Sequence, residues 1–181
     1  MWISQNTEFT DFELDELHWY TNSRKDYENG INAYIMTMIS RIPRQITGFA
    51  VDRSVTAEAL QRVADSTPAA QKYHTDGLFA YMSVLFVGKH IRNSWDKSDT
   101  HNIESTNSDL RHYIPGLARK SRCFFRTLET MKAVLAVFID AYNKFGEAKL
   151  KHQIPVKHKS PNPSKHLHKF RDVPFSILDY L

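Results

Sequence analysis

A chain of 181 residues with 41% apolar and 12% aromatic side chains is long enough for one domain with a real core, too short for two large ones, and too apolar to be disordered. A single cysteine excludes an internal disulfide and any Cys-rich zinc site, which points to a reducing, intracellular setting. No signal-peptide pattern is visible, and the best apolar run, residues 133–139, is far too short to span a bilayer, so the net charge of +4 is expected to serve a polyanion and not a membrane.

Phe12 and Leu14 alternate with Glu13 and Asp15, which predicts a strand with one apolar and one acidic face, from which Asp15 projects. A turn is expected at residues 27–30 (YENG). Strands follow over 31–39 (INAYIMTMI), ended by Pro43, and over 45–51 (QITGFAV), where Gly48 permits a close backbone approach. Three short strands joined by tight turns form a meander. Ser54 or Thr56 caps a helix over 57–64 that buries Leu60 and Val63, and Pro68 closes that unit.

Residues 71–75 read as a short strand running into Asp76-Gly77. A strand ending in an aspartate puts that carboxylate at the sheet edge where open α/β sheets place their ligands. His74, two positions earlier, points to the same side and is expected to be a structural histidine bordering the site. The run 78–86 (LFAYMSVLF) is apolar nearly all round, which predicts a buried helix ending at Gly88. A short strand over 90–93 and a polar loop over 94–100 come next.

A helix starting near Asn102 puts Glu104, Ser108 and Arg111 at i, i+4 and i+7, on one face. Glu104 on that face suits a metal ion and Arg111 a phosphate. Cys123 is expected to be a buried apolar residue, and Trp2, Trp19 and Trp95 to serve packing. The last helix, 128–144, carries Leu128, Met131, Leu135, Phe138, Ile139 and Tyr142 as a core stripe and is expected to stop at Gly146.

Charge is uneven along the chain. Glu8, Asp11, Glu13, Asp15, Glu16, Asp26 and Glu28 face only Arg24 and Lys25 in the first forty residues. Residues 149–171 carry lysines, an arginine and four histidines with no acid, a block that favours nucleic acid through counterion release. His166 and His168 lack the spacing and partners of a zinc site. The prolines among these cations predict an extended basic tail, 147–181, behind a domain of residues 1–146. The apolar end, 173–181, is expected to fold back onto that domain. Periodicity alone supports a mixed α/β domain.

Glu104, Asn107, Leu110, Arg111, the Leu-Ala-Arg-Lys run at 117–120, Cys123 and Phe124 stand in an order that resembles transposases of the insertion-sequence-one family. Glu13-Leu-Asp15-Glu16-Leu17 with Trp19, and Tyr73-His-Thr-Asp76-Gly77 with Tyr81, extend the likeness upstream. Phe125 to Met131 and Phe138 to Phe145, with its Ala-Tyr-Asn, extend it downstream. The resemblance implies a ribonuclease-H-like mixed sheet flanked by helices. It also implies a DDE triad of Asp15, Asp76 and Glu104 holding two magnesium ions, with manganese as a substitute. Glu13 and Glu16 are the alternatives to Asp15, and the family pattern of Asp before Glu-Leu with a following Trp selects Asp15. Asp99 and Asp109 compete with Glu104 from poorer motif positions.

Under the same resemblance Arg111 binds DNA phosphate and Asn107 hydrogen-bonds DNA or supports Glu104. Arg119, Lys120, Arg122 and Arg126 line a channel for double-stranded DNA, both element ends and target. The implied activity is metal-dependent end cleavage and strand transfer of an insertion sequence, in the cytoplasm on the nucleoid. The family's zinc ribbon and helix-turn-helix have no counterpart here, so a homo-oligomer or an N-terminal end-binding partner is expected to recognise the ends. The rival readings are a truncated or regulatory DNA-binding remnant without turnover, and a structure-specific nuclease.

Overall fold

The central strand β1, Phe9–Tyr20, is flanked on one side by β2, Asn32–Ser40, and on the other by β4, Ala70–Thr75. β2 runs antiparallel to β1, and β3, Gln45–Asp52, antiparallel to β2. β4 is parallel to β1, and β5, Lys89–Arg92, parallel to β4, which gives a five-stranded mixed sheet in the order β3-β2-β1-β4-β5. Helix α1, Ala57–Asp65, makes the crossover from β3 to β4, and helices α2, His101–Tyr113, and α3, Leu128–His152, follow the sheet. The chain is an α/β protein. This computed structural model describes residues 9–21, 31–93, 101–118, 123–152 and 177, with side chains of 147–152 excepted. The expected turn at 27–30, the loop 94–100, Trp2, Trp95, Asp99 and the tail beyond His152 other than Ile177 lie outside the described residues.

The sheet buries both faces. Leu17, Trp19, Ile35, Ile39 and Ile46 pack with Ile103, Leu110, Met131, Leu135 and Phe138 of α2 and α3. Phe12, Leu14, Met36 and Met38 pack on the opposite side with Leu60 and Val63 of α1 and with Tyr81. Two-sided coverage corrects the expectation of an acidic outer face on β1, because Glu13 has no exposed surface at all. It is a buried carboxylate under α2.

Thr56 caps α1 through its side-chain oxygen, which accepts from the Ala59 N–H at 3.2 Å. Gly48 does allow a close approach. A Cβ there would lie 2.6 Å from Thr67 Cγ2 and 2.8 Å from Ser66 Oγ at the end of α1. The Ile42–Pro43 bond in the β2–β3 turn is cis. On α3 the stripe from Met131 to Tyr142 is buried as expected, and Ile177 joins the same core at 2% exposure.

Asn143 of α3 brackets Ile46 at the outer edge of the sheet. Its Oδ1 accepts from the Ile46 N–H and its Nδ2 donates to the Ile46 carbonyl, both at 2.9 Å. Trp19 donates its indole N–H to the Gly116 carbonyl at 2.8 Å, which fastens β1 to the turn after α2.

Three further expectations are corrected. Residues 78–86 do not form a buried helix: only a 3₁₀ turn, Phe79–Ser83, is present, with Tyr81 as its buried side chain. The Asp76 carboxylate takes the Leu78 N–H at 2.8 Å, and the Gln61 amide takes both backbone groups of Leu85, at 2.7 and 3.1 Å. Side chains thus satisfy backbone groups that a helix would have paired. α3 runs through Gly146 to His152, since one interior glycine costs only about 1 kcal/mol and the residues around it are good helix formers. Cys123 is exposed, because Phe124 and Phe125 take the places against the core.

Candidate functional site

In the parallel register of β1 and β4, Leu14 stands opposite Thr75. One step further along both strands come Asp15, in the middle of β1, and Asp76, just past the end of β4, so the parallel pairing brings residues far apart in sequence to the same level. β4 stops there, while β1 continues to Tyr20. Beyond Leu14, β1 therefore has no strand neighbour on its β4 side among the described residues, and successive side chains on opposite faces can both turn to the same edge. Ligand oxygens of Asp15, Glu16 and Asp76 all lie within 4.8 Å of one another. Among the described residues this is the acidic set of that kind.

Each carboxylate is oriented by a donor of its own. Asp15 faces α2 and takes the Asn107 Nδ2 hydrogen bond on Oδ2 at 2.9 Å. Glu16 faces the other way, where the buried Tyr81 hydroxyl donates to its Oε2 at 2.6 Å. Asp76 is held by the Leu78 N–H at 2.8 Å.

Burial raises the Asp15 pKa to about 6, helped by the charges of Asp76 and Glu104 and opposed by the backbone of Glu16 and the Asn107 amide. Burial likewise pushes Glu16 to about 7, with Asp15 and Asp76 adding to it and the Tyr81 hydrogen bond working against it. Tyr81 is itself driven well above the ordinary tyrosine range, first by burial and then by the charge of Glu16. The site concentrates like charge in a partly desolvated place, which costs free energy until a cation or proton relieves it.

The helix bearing Glu104 is fixed through Glu13. That carboxylate takes Arg41 Nε at 2.7 Å, Asn102 Nδ2 at 2.8 Å and the Ile103 N–H at 2.9 Å. Arg44 adds bonds to the Asn102 carbonyl at 3.1 Å and Thr106 Oγ1 at 3.0 Å. The first turn of α2 leaves N–H groups without helical partners, and a buried anion on the neighbouring strand takes one of them.

Of the three acids that the resemblance singled out, Asp15 and Asp76 lie together. Glu104 lies on the exposed side of α2, close enough for its charge to act on Asp15, yet outside the three-acid set. Asn107 is buried and bonded to Asp15, not to Glu104. Arg111 is half-buried on the same helix, and Arg126 is exposed just before α3. Arg119, Lys120 and Arg122 lie outside the described residues.

Sequence reasoning set Glu16 aside because the family pattern selects Asp15; the missing signal was where β4 ends, which lets two neighbours that normally face apart on a strand reach one edge. Tyr81 carried no sequence signal beyond its place after Asp76-Gly77. His74 is structural, with Nε2 3.0 Å from Asp11 Oδ1 and 4% exposure. Asp109, the competitor of Glu104, is engaged by the Tyr142 hydroxyl at 3.2 Å.

Oxygen-only donors are the set that magnesium and manganese prefer. The Asn107 Oδ1 is buried and accepts no hydrogen bond, so the centre contains an unsatisfied acceptor as well as uncompensated charge. The residues present fit a hard divalent cation. No family model matches the chain, and no curated protein matches it. No helix among the described residues is long and apolar enough to cross a membrane.

Proposed function

We propose that the chain is the ribonuclease-H-like core of a DNA transposase, in which Asp15, Asp76 and Glu104 hold divalent metal for phosphodiester cleavage and strand transfer. The observation that carries this reading is the alignment of Asp15 in mid-β1 with Asp76 at the end of the parallel neighbour β4, with an acid on the next helix whose charge reaches Asp15. The element order, three antiparallel strands, a helix, two further strands parallel to β1 and terminal helices, supports the same reading.

When bound, magnesium or manganese supplies Lewis-acid stabilisation to the attacking and leaving oxygens of an in-line displacement. The protein's part is preorganisation. Asn107, Tyr81 and the Leu78 N–H each fix one carboxylate, so the charges are in position before substrate arrives. Glu16 stands beside the triad as a further carboxylate of the same centre. Arg111 and Arg126 contribute positive charge for the DNA backbone, with Arg119, Lys120 and Arg122 proposed to extend it. The proposed partner is double-stranded DNA, bound by an oligomer or together with an end-binding protein, in the cytoplasm.

The test is transfer of a labelled 3′-hydroxyl oligonucleotide into plasmid DNA with magnesium or manganese, comparing wild type with Glu104→Gln. Joined product from wild type alone is expected. Equal joining by the variant removes Glu104 from the triad, cleavage without joining indicates a nuclease, and DNA binding without product indicates a regulatory remnant.

A further inference from the structure

The segment between β4 and β5 exposes apolar side chains where a folded domain normally hides them. Phe79 is 74% exposed, Met82 60%, Leu85 81% and Val87 85%. Scattered apolar residues at a surface need no explanation, but a contiguous run of large ones marks an interaction site. Phe79 and Met82 sit three apart in a 3₁₀ turn, where positions i and i+3 eclipse, so both leave the same side. Tyr81 leaves from the other side and is fully buried.

The exposure is built into the backbone. The strap is tied at its root by the Leu78 N–H to Asp76 and by the Tyr81 hydroxyl to Glu16. Its middle is bracketed by Gln61 at Leu85. At its far end Gly88 lies against β4 so closely that a Cβ would meet the Ala70 carbonyl oxygen at 2.2 Å. Two of these ties are to members of the acidic set.

Charge narrows the partner. Between Asp76 and Asp96 the sequence has no acid, and it carries Lys89 and Arg92. Arg92 is exposed and donates to the Gly77 carbonyl, which returns a cation to the root of the strap. Apolar faces flanked by cations suit a polynucleotide, whose bases stack and whose phosphates are anionic. Chain reach sets the scale: Phe79 lies three steps along the chain from Asp76, at most about 11 Å, or about three steps of a stacked strand at about 3.4 Å each. A phosphodiester at the carboxylates therefore has its neighbouring bases within reach of Phe79, with Met82 leaving the same side one 3₁₀ turn further on.

We propose that Phe79 and Met82 form a wedge that unstacks and packs against DNA bases within about three nucleotides of the phosphate at the carboxylate site. The wedge opens the end of the duplex and holds it against the acids. This deepens the transposase reading and rests on its placement of DNA.

The test uses the full chain with magnesium and a duplex ending in a 3′-hydroxyl, with 2-aminopurine at successive positions near that end. Wild type is expected to raise the emission at least about two-fold at one or two positions, as unstacking does. Phe79→Ser with Met82→Ser should abolish the rise and weaken binding about ten-fold, the effect of losing one stacked base. Phe79→Trp, which keeps a stacking face, should retain it and guards against a folding artefact.

If wild type joins DNA while the double serine variant matches it in emission and affinity, the wedge is refuted and the transposase reading stands. If no joining occurs but the wedge-dependent rise is present, the wedge stands as a DNA-binding device and the transposase reading falls. Loss in the double variant of binding to phosphatidylserine vesicles, or of self-association in sedimentation, without any emission change also overturns the wedge.

Discussion

Asp15→Asn is expected to make the metal-free protein more stable at pH 8 while removing the proposed strand transfer. The Asp15 carboxyl has its pKa raised from 3.8 to about 6 in the fold. A carboxyl raised in this way favours folding while protonated: its contribution is fully present below about pH 4 and is lost as pH rises through about 6. The change corresponds to about 3 kcal/mol at about 1.4 kcal/mol per pH unit. Asp15 is only partly buried, and screening reduces this to about 1.5 kcal/mol. For a chain of this size that is a rise in Tm of roughly 3–6 °C.

The Asn carbonyl can still accept the Asn107 bond, so the packing is kept. The assay is thermal unfolding in EDTA across pH 4 to 8, followed by the same scans with millimolar magnesium or manganese. The variant should match wild type near pH 4 and exceed it at pH 8. Metal should raise the Tm of wild type by mass action and leave the variant nearly unmoved. A variant no more stable than wild type at pH 8 would refute the argument that the centre stores like-charge repulsion.

Three other outcomes are expected. Glu13→Ala should destabilise by about 3–5 kcal/mol in urea unfolding, because it breaks the buried carboxylate's ion pair with Arg41 and releases the first turn of α2; a loss below about 1 kcal/mol would make the network ornamental. Gly48→Ala should lower stability by about 1–3 kcal/mol through the contacts at Thr67 and Ser66, and an unchanged denaturation midpoint would mean that α1 can shift aside. Cys123 should react with a water-soluble disulfide reagent in the native protein at nearly the rate seen in denaturant; protection by folding would return it to the core.

Local signals were sufficient for much of the sheet. Alternation in β1, the β-branched run of β2 and the strand ending at Asp76 all rest on near neighbours, and their periods survive folding. The segment 78–86 misled because its composition is that of a core helix, whereas its conformation follows from Gln61 and Asp76, partners that composition does not display. Glu13 and Glu16 illustrate the same limit within one strand. Their neighbours in sequence are nearly alike, but one lies under α2 and bonds Arg41, while the other reaches the edge only because β4 ends at Thr75. The pairing of Asn107 with Asp15 joins residues 92 apart and is visible only when the fold is known.

The amide of Asn143 bears on how the chain must be made. It occupies both hydrogen-bonding groups of Ile46 from 97 residues downstream, so on a ribosome β3 emerges long before the side chain that covers its outer edge. Until α3 has left the exit tunnel, that strand presents an open template to any neighbouring nascent chain. Synthesis rate and chaperone supply should therefore govern soluble yield most strongly over the interval in which α3 is being translated.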